Sequence, residues 1–204
     1  NTEFIETLSQ SIPMVLVERS VSSARFRGDF IGADNRAGMY SLASYLLERG
    51  HRRIAIVNGN LEVSTGKERY EGFVLAMKEY GITVDDRYPF LYNTHSFVEK
   101  KGYEAAEYLM GLDPAPTAVL VTNNALSLGV LKYMKKHQVR IPEDVSVMCY
   151  GNIENSELFF VEPAYTTLNP LSIADKVCQY IVSRIEEENL PNREMIFESK
   201  LYPG

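Results

Sequence analysis

In the middle of this chain, short apolar stretches alternate with stretches that carry an apolar residue every three or four positions. The short stretches, at residues 54–57, 90–92, 118–121 and 145–149, predict strands covered on both faces. The stretches between them predict three amphipathic helices. Because strands joined through helices pair in parallel, the pattern predicts an α/β fold with a parallel, doubly wound sheet.

The pieces before and after this central part do not belong to the same repeat. The first fifty residues predict a helix at 1–8, strands at 14–17 and 30–31, and a helix that stops at Gly50. Residues 165–168 predict an extended link, and residues 195–202 predict a final strand. Between these lies a long helix with six residues on its predicted buried face: Ala174, Val177, Cys178, Ile181, Val182 and Ile185. The outer pieces predict a second lobe built from non-contiguous segments.

Composition narrows the class of protein. The 204 residues are 45% hydrophobic and 24% charged, as in an ordinary globular protein. The net charge of -6 argues against a nucleic-acid surface in this chain, because phosphate binding needs clustered Lys and Arg. No apolar run reaches the roughly 20 residues of a membrane span. Cys149 and Cys178 lie in apolar segments without C-x-x-C spacing, which predicts buried, reduced thiols and a cytoplasmic location.

Polar side chains follow the predicted central strands at one common edge of the sheet. Arg69 lies in the helix after the first of these strands, Asn123 follows the third, and Asn152 follows the fourth. Ligands bind at the carboxyl ends of parallel strands. Amides donate and accept hydrogen bonds, and Arg69 offers a planar fork of donors, which suits hydroxyls or a carboxylate. Phe97 offers a flat surface for a sugar ring, and Glu18 ends an earlier strand.

Each candidate also has a simpler interpretation. In this interpretation, Arg69 pairs with a neighbouring glutamate on a solvated helix face, and Asn123 only caps its helix. Phe97 is a core or hinge aromatic, and Glu18 is a surface charge. Convergence on one edge favours the binding interpretation, and it does not identify a ligand.

The sequence lacks the signatures of catalysis. Its three histidines, His51, His95 and His137, are scattered, and the two cysteines have no metal-binding spacing. It has neither a G-x-S-x-G elbow nor a phosphate-cradling glycine loop. We therefore predict a binding protein with no enzymatic activity, no cofactor and no metal.

Several segments resemble the LacI/GalR family of bacterial transcriptional regulators, and in particular its effector-binding domain. They include IPMVLVER at 12–19, IGADNRAG at 31–38, RGHRRIAIVNG at 49–59 and STGKERYEG at 64–72. Further matching segments lie at 116–129, 141–147 and 166–167. They follow the order and spacing of the family, and this combination makes the resemblance specific.

The resemblance implies a periplasmic-binding-protein-like fold, in which two α/β lobes with parallel doubly wound sheets hold a small molecule. It assigns residues 1–34 to the first lobe, 35–166 to the second, 167–193 to a helix of the first, and 194–204 to a final strand of the second. The family's helix-turn-helix headpiece and the start of its first lobe have no counterpart here, so the first lobe is incomplete in this chain.

The implied function is to sense an effector for a transcriptional regulator, most often a repressor, that acts as a homodimer. Ligand binding would alter DNA binding by the parent dimer, which contacts operator DNA only through the headpiece. An exported sugar-binding protein of the same fold, serving transport or chemotaxis, is the alternative. Its partners would differ, but neither function places this chain in a membrane.

Four candidate residues match family positions. By position, Arg69 resembles the arginine that grips ligand hydroxyls, Asn123 the strand-end residue that hydrogen-bonds the ligand, and Phe97 an aromatic that stacks on it. Glu18 falls where the family usually has aspartate.

The sequence also departs from the family at two positions. The family's Gly-(Phe/Tyr)-Asp-Asp reads Cys149-Tyr-Gly-Asn152 here, and its Asn-Asp pair reads Asn123-Asn124. Because these carboxylate hydrogen-bond acceptors are absent while Arg69 is present, the sequence favours a sugar acid or sugar phosphate over a neutral sugar as the ligand. A degenerate pocket, with a protein co-regulator giving the signal, is a second possibility.

Apolar residues outside the predicted core indicate a partner surface. Leu158, Phe159 and Phe160 lie in a predicted loop, and Leu128 and Leu131 lie off the core-facing stripe of their helix. The corresponding region helps to form a homodimer in the family. The simpler interpretation is that the apolar run packs under its own loop.

Overall fold

The computed structural model describes residues 2–153, 164–167, 169–187 and 189–202. The described helices are α1 Thr2–Ser9, α2 Asn35–Glu48, α3 Ser64–Glu79, α4 Glu99–Met110, α5 Asn124–Lys136 and α6 Pro170–Glu186. The described strands are β1 Val15–Val17, β2 Asp29–Ala33, β3 Ile54–Asn58, β4 Leu91–Asn93, β5 Ala118–Val121, β6 Ser146–Tyr150, β7 Ala164–Thr167, β8 Glu194–Phe197 and β9 Lys200–Tyr202. The predicted contacts at Leu158, Phe159 and Phe160 lie outside the described residues.

The chain divides into two compact units. The first consists of Asn1–Asp34 and Leu168–Glu198, and the second of Asn35–Thr167 and Ser199–Gly204. The predicted single final strand at residues 194–204 is wrong, because the segment forms two strands. β8 pairs with β2 in the first unit, and β9 pairs with β7 in the second.

The second unit contains a sheet with the order β4-β3-β5-β6-β7-β9. All neighbouring strands are parallel except β9, which runs antiparallel to β7. The four predicted central strands are confirmed, and the predicted extended link forms β7. Parallel pairing brings the carboxyl ends of β3, β4, β5 and β6 to one edge.

Helices cover both faces of this sheet, which explains why β3 and β5 contain no exposed residue. Along β5, Ala118 and Leu120 belong to the apolar cluster formed with α2 and α3. Val119 and Val121 belong to the cluster formed with α4 and α5. The strand period of two therefore divides one apolar segment between two cores.

Helices α4 and α5 approach each other closely at two glycines. A Cβ atom at Gly102 would lie 2.0 Å from the carbonyl oxygen of Leu126, and one at Gly129 would lie 2.0 Å from that of Glu99. This approach corrects the expectation for Leu131, which is only 1% exposed and belongs to the core. Because α5 is covered by α4 as well as by the sheet, its buried arc is wider than the periodic stripe. Leu128 is half-buried.

We expect Gly129→Ala to lower the free energy of unfolding by about 1–3 kcal/mol, because the added methyl group must separate the two helix backbones. Gly111→Ala is the matched control. Gly111 has helical backbone angles, and its nearest contact to an added Cβ is 3.3 Å away. Urea unfolding followed by circular dichroism measures both effects. Equal stability of the two variants would contradict the close approach of α4 and α5.

The first unit contains a parallel sheet with the order β1-β2-β8, against which α6 packs. The predicted buried face of α6 is wrong for four residues, because Ala174, Cys178, Val182 and Ile185 are exposed. Of the six predicted residues, only Val177 and Ile181 are half-buried. Within the first unit, the strands that α6 contacts are β1 and β2. Cys178 therefore differs from Cys149, which is buried as predicted.

A buried ionic cluster joins the segments of the first unit. Asp29 on β2 is 0% exposed and accepts hydrogen bonds from the guanidinium groups of Arg184 on α6 and Arg193 before β8. The backbone N–H of Arg193 also donates to Asp29, at 2.8 Å. Burial raises the pKa of Asp29, but these hydrogen bonds outweigh that effect and hold the pKa below 3.8.

Candidate functional site

The ends of the second unit's central strands are connected through Asn58, a fully buried residue at the end of β3. Its Oδ1 atom accepts hydrogen bonds from the Thr122 hydroxyl at 3.0 Å and from the Gly59 N–H at 3.1 Å. Its backbone oxygen accepts from the N–H of Thr94 at 2.8 Å. The side chain of Asn58 thus connects the exits of β3 and β5, and its backbone carbonyl connects the exit of β4. Asn58 was not among the predicted site residues, although a buried polar residue ending an apolar strand is a signal of such a connection.

Arg69 lies on α3 and is buried, with 9% of its surface exposed. Its Nε donates to Asn35 Oδ1 at 2.8 Å, and its Nη1 donates to the Thr122 carbonyl at 2.7 Å. The guanidinium carbon lies 3.9 Å from the centre of the Tyr150 ring. The interpretation of Arg69 as a residue on a solvated helix face is therefore wrong. Contacts from α2, β5 and β6 orient it at the sheet edge.

Asn35, at the start of α2, positions Arg69. It was not among the predicted site residues. It is 2% exposed, and its Nδ2 donates to Glu68 Oε2 at 2.9 Å while its Oδ1 accepts from Arg69. The Asn35 amide therefore hydrogen-bonds separately to the Glu68 carboxylate and to the Arg69 guanidinium. In the sequence, Asn35 has the signature of a helix start and nothing more.

Asn123 caps α5, as its simpler interpretation predicts. Its Oδ1 accepts from the N–H groups of Ala125 at 2.9 Å and Leu126 at 3.4 Å. The cap uses the oxygen, so the Nδ2 group is the part of this side chain that suits a ligand acceptor. The capping and binding interpretations are compatible.

Asn123→Ser separates these two roles, since serine caps a helix about as well as asparagine but lacks the amide donors. We expect the free energy of unfolding to stay within about 0.5 kcal/mol of the wild-type value, and ligand affinity to fall roughly tenfold. Asn123→Ala is the control, and we expect it to lower stability by about 1 kcal/mol. Unfolding and titration calorimetry measure the two quantities. Wild-type affinity in Asn123→Ser would leave capping as the role of Asn123.

Phe97 lies against the loop between β3 and α3. A Cβ atom at Gly59 would be 2.1 Å from the Phe97 ring, and one at Gly66 would be 3.7 Å from it. The ring is half-buried and also packs against the core beneath α4 and α5. Glycine at position 59 is thus required by an aromatic ring at this edge, and Phe97 combines a packing role with a remaining exposed surface.

The exit of β6 is held to the start of α5. The Nδ2 of Asn124 donates to the carbonyl oxygen of Asn152 at 2.8 Å, and the side chain of Asn152 is exposed. Gly151 between them has φ +105°, a conformation that favours glycine. The structure thus brings Arg69, Phe97, Asn123 and Asn152 onto segments that leave neighbouring strands at one edge.

Glu18 belongs to the first unit, directly after β1. It is half-buried, its N–H donates to the Ile31 carbonyl at 2.9 Å, and its φ is +63°. A non-glycine residue in this conformation is uncommon and marks a position constrained by its surroundings. The structure does not place Glu18 in the second unit's group of residues.

Cys149 lies near this edge and serves as a packing residue. Burial raises the pKa of its thiol to about 12, so it stays protonated near neutral pH.

In the described ranges, no group of three or more His, Cys, Asp and Glu side chains is arranged to hold a metal ion. None of the helices in the described part of the chain has the length and apolar content needed to cross a membrane.

A cavity of about 610 Å³ lies in the first unit. Residues 9–14 line it together with the end of α6, including Arg184, and with Asn192. Arg184 donates to Asp29 and to the carbonyl oxygens of Leu190 and Pro191, so its guanidinium fork is already occupied. The buried cation of this cavity is therefore committed to the protein's own acceptors.

Known proteins similar to this chain are transcriptional regulators. A family model described as periplasmic binding protein-like domain matches residues 43–204. The HTH-type transcriptional repressor PurR of Glaesserella parasuis serovar 5 (strain SH0165) is 32% identical over 181 residues, covering 88% of this chain and 51% of the relative. PurR of Salmonella newport (strain SL254) is 36% identical over 159 residues, covering 78% and 45%. The chain thus spans about half the length of these curated relatives.

Solved structures show the same architecture. A putative LacI transcriptional regulator from Bacillus cereus subsp. cytotoxis NVH 391-98 has a TM-score of 0.87 at 24% identity, covering 98% of this chain and 69% of that one. A complex of the transcriptional regulator CelR with cellobiose has a TM-score of 0.82 at 23% identity, covering 92% and 57%. A sugar-binding LacI-family regulator from Escherichia coli, in complex with phosphate, has a TM-score of 0.79 at 18% identity, covering 99% and 71%. At these identities the likeness establishes the predicted α/β fold alone.

Proposed function

Because the chain belongs to the periplasmic binding protein-like domain family, as an effector-binding domain of LacI/GalR type, we propose that it senses a small sugar-like effector for a bacterial transcriptional regulator. The observation that carries the proposal is the buried guanidinium of Arg69, held by Asn35 and Thr122 where the central strands end. A binding group fixed in advance loses little conformational entropy when the ligand arrives.

Side chains around Arg69 supply the remaining contacts that a sugar-like molecule requires. Asn123 offers amide donors, Asn152 offers an exposed amide, and the Phe97 ring offers an apolar surface. Pockets for small molecules combine a few convergent polar groups with aromatic surface in this way.

One feature of the second unit favours an acidic or phosphorylated effector. Gly151 carries no carboxylate at the exit of β6, and its neighbour across the edge is the neutral Asn124. A phosphate or carboxylate therefore meets no negative side chain from these two residues, while Arg69 supplies a cation near the ends of the same strands.

The similar proteins favour regulation over transport. The two curated relatives described above are named as transcriptional repressors, as regulators would be. In the proposed mechanism, effector binding shifts the parent protein between two states that differ in DNA affinity. The proposal involves no catalytic step and places the protein in the cytoplasm with DNA.

The proposed parent protein acts as a homodimer. Leu128 remains a candidate contact because it is half-buried on α5, whereas Leu131 belongs to the core. Sedimentation of the full-length protein tests the dimer, and a monomer at high concentration would contradict the proposed homodimer.

A protein co-regulator that replaces the small molecule as the signal is the second candidate function, and it is favoured by the absent carboxylate at Gly151.

DNA binding with and without effector tests the whole function. Operator sequences selected from random DNA by the full-length protein would be titrated by fluorescence anisotropy, with sugars, sugar acids and sugar phosphates added in turn. We expect one ligand class to change operator affinity by about 5- to 150-fold. Arg69→Met is the control, which should bind DNA and ignore the ligand. Unchanged operator affinity with every class would contradict effector sensing.

A further inference from the structure

Two residues at the edge of the second unit occupy one space. A Cβ atom added to Gly151 would lie 2.0 Å from Asn124 Oδ1 and 2.9 Å from Asn124 Cγ. The Asn124 carboxamide therefore stands where residue 151 would carry a side chain. It is fixed there because its Nδ2 donates to the Asn152 carbonyl at 2.8 Å.

We propose that Asn124 sets the charge selectivity of the effector site, as the neutral group that replaces a side chain at position 151. The inference rests on the proposed function of this edge, and it gives a role to Asn124, which was not among the predicted ligand-binding residues. It assigns the site to small anionic ligands, such as sugar acids and sugar phosphates, over their uncharged counterparts.

The position of Asn124 next to the contacts of Arg69 supports this role. Asn124 is two residues after Thr122, whose carbonyl accepts from Arg69, and Gly151 follows Tyr150, whose ring lies under the Arg69 guanidinium. A charge introduced at residue 124 would therefore enter the region that these contacts of Arg69 define. Unit charges near a protein surface interact strongly enough to change affinity at least tenfold when they lie within a few ångströms of each other.

The occupied space also explains why a carboxylate at position 151 is excluded. Any side chain there would have to displace the Asn124 amide and would adopt φ +105°, which L residues rarely take. The chemistry of this corner is consequently decided at residue 124. An amide leaves the corner neutral, whereas an aspartate of the same shape would make it negative.

Asn124→Asp and Asn124→Ala separate the charge from the hydrogen bond to Asn152, because neither variant has the Nδ2 donor and only the aspartate adds a charge. Residue 124 is exposed in the first turn of α5, where a negative charge is favourable, so Asn124→Asp should fold. Titration calorimetry on the full-length variants would use ribose 5-phosphate with ribose, and gluconate with glucose. The measured quantity is the ratio of affinities for the charged and uncharged member of each pair.

The wild-type protein should prefer an anion, and Asn124→Asp should lower that ratio tenfold or more. Asn124→Ala should leave the ratio within about threefold of the wild-type value, because no charge changes. An unchanged ratio in Asn124→Asp, or a preference of the wild type for the neutral sugar, would overturn the inference while the proposed function stands. Absence of binding to both acidic probes would also overturn the inference, whereas the proposed function is decided by the operator titration.

A second measurement tests the shared space without a ligand. Gly151→Ala should lower Tm more in the wild-type background than in the Asn124→Ala background, because the second substitution removes the atoms that the new methyl group meets. Interacting positions give non-additive effects of this kind. Equal decreases in Tm in the two backgrounds would overturn the inference.

Discussion

Arg69→Ala is expected to lower the free energy of unfolding by about 2–4 kcal/mol, because it leaves buried acceptors without their donor. It should also weaken effector binding at least a hundredfold, the effect of losing a buried guanidinium anchor. Asn35 Oδ1 and the Thr122 carbonyl lose their hydrogen bonds, and the Tyr150 ring loses the cation above it. Urea unfolding and titration calorimetry on the same variant measure the two effects.

Arg36→Ala is the matched control for Arg69. Arg36 lies on the neighbouring helix α2, pairs with Glu71, and has a side chain that is 57% exposed. Ion pairs at such positions contribute little to stability. We expect wild-type stability and affinity from this variant. If Arg69→Ala matched it in both measurements, Arg69 would be neither a structural nor a binding anchor.

Asp29→Ala is expected to lower the free energy of unfolding by about 3–5 kcal/mol, the cost of removing one partner from a buried ionic cluster. Arg184, which is 8% exposed, would remain buried without its carboxylate. Because Asp29 belongs to the first unit, effector contacts of the second unit are not removed directly. Unfolding by urea measures the change, with the exposed Asp175→Ala on α6 as control.

The same cluster predicts a dependence of stability on acid pH. Because the pKa of Asp29 is held below 3.8 in the folded state, the unfolded chain takes up its proton at a higher pH than the folded chain. The stability from this group is therefore present above its unfolded pKa and is lost as pH falls through the folded value. Asp29→Asn should lack this part of the pH dependence. An unchanged acid transition in that variant would contradict the role of Asp29.

The central sheet was predictable because its strands are apolar throughout. A segment such as β5 has no polar residue to place at a surface, so it belongs between two helical layers. The exits of these strands were also predictable, since parallel topology alone brings Arg69, Asn123 and Asn152 to one edge. What the topology does not specify is which polar groups bind each other there.

The missed features depend on contacts between segments distant in sequence. Asn58 and Asn35 are ordinary strand-end and helix-start residues until Thr122 and Arg69 reach them. The burial of Leu131 depends on the glycine contacts that bring α4 onto α5. One face of α6, which includes Cys178, was predicted to be buried and is largely exposed. Apolar periodicity identifies the apolar face of a helix, but it does not identify which segment covers that face.

Hydrogen exchange on the full-length protein, with and without its effector, tests whether the effector binds where the central strands end. We predict that the effector slows exchange in the peptides that leave the central strands, at residues 58–69, 122–126 and 150–153, where Arg69 and Asn123 lie. Slowed exchange confined to residues 9–14 and 184–192, around the cavity of the first unit, would place the effector there and contradict binding by Arg69 and Asn123.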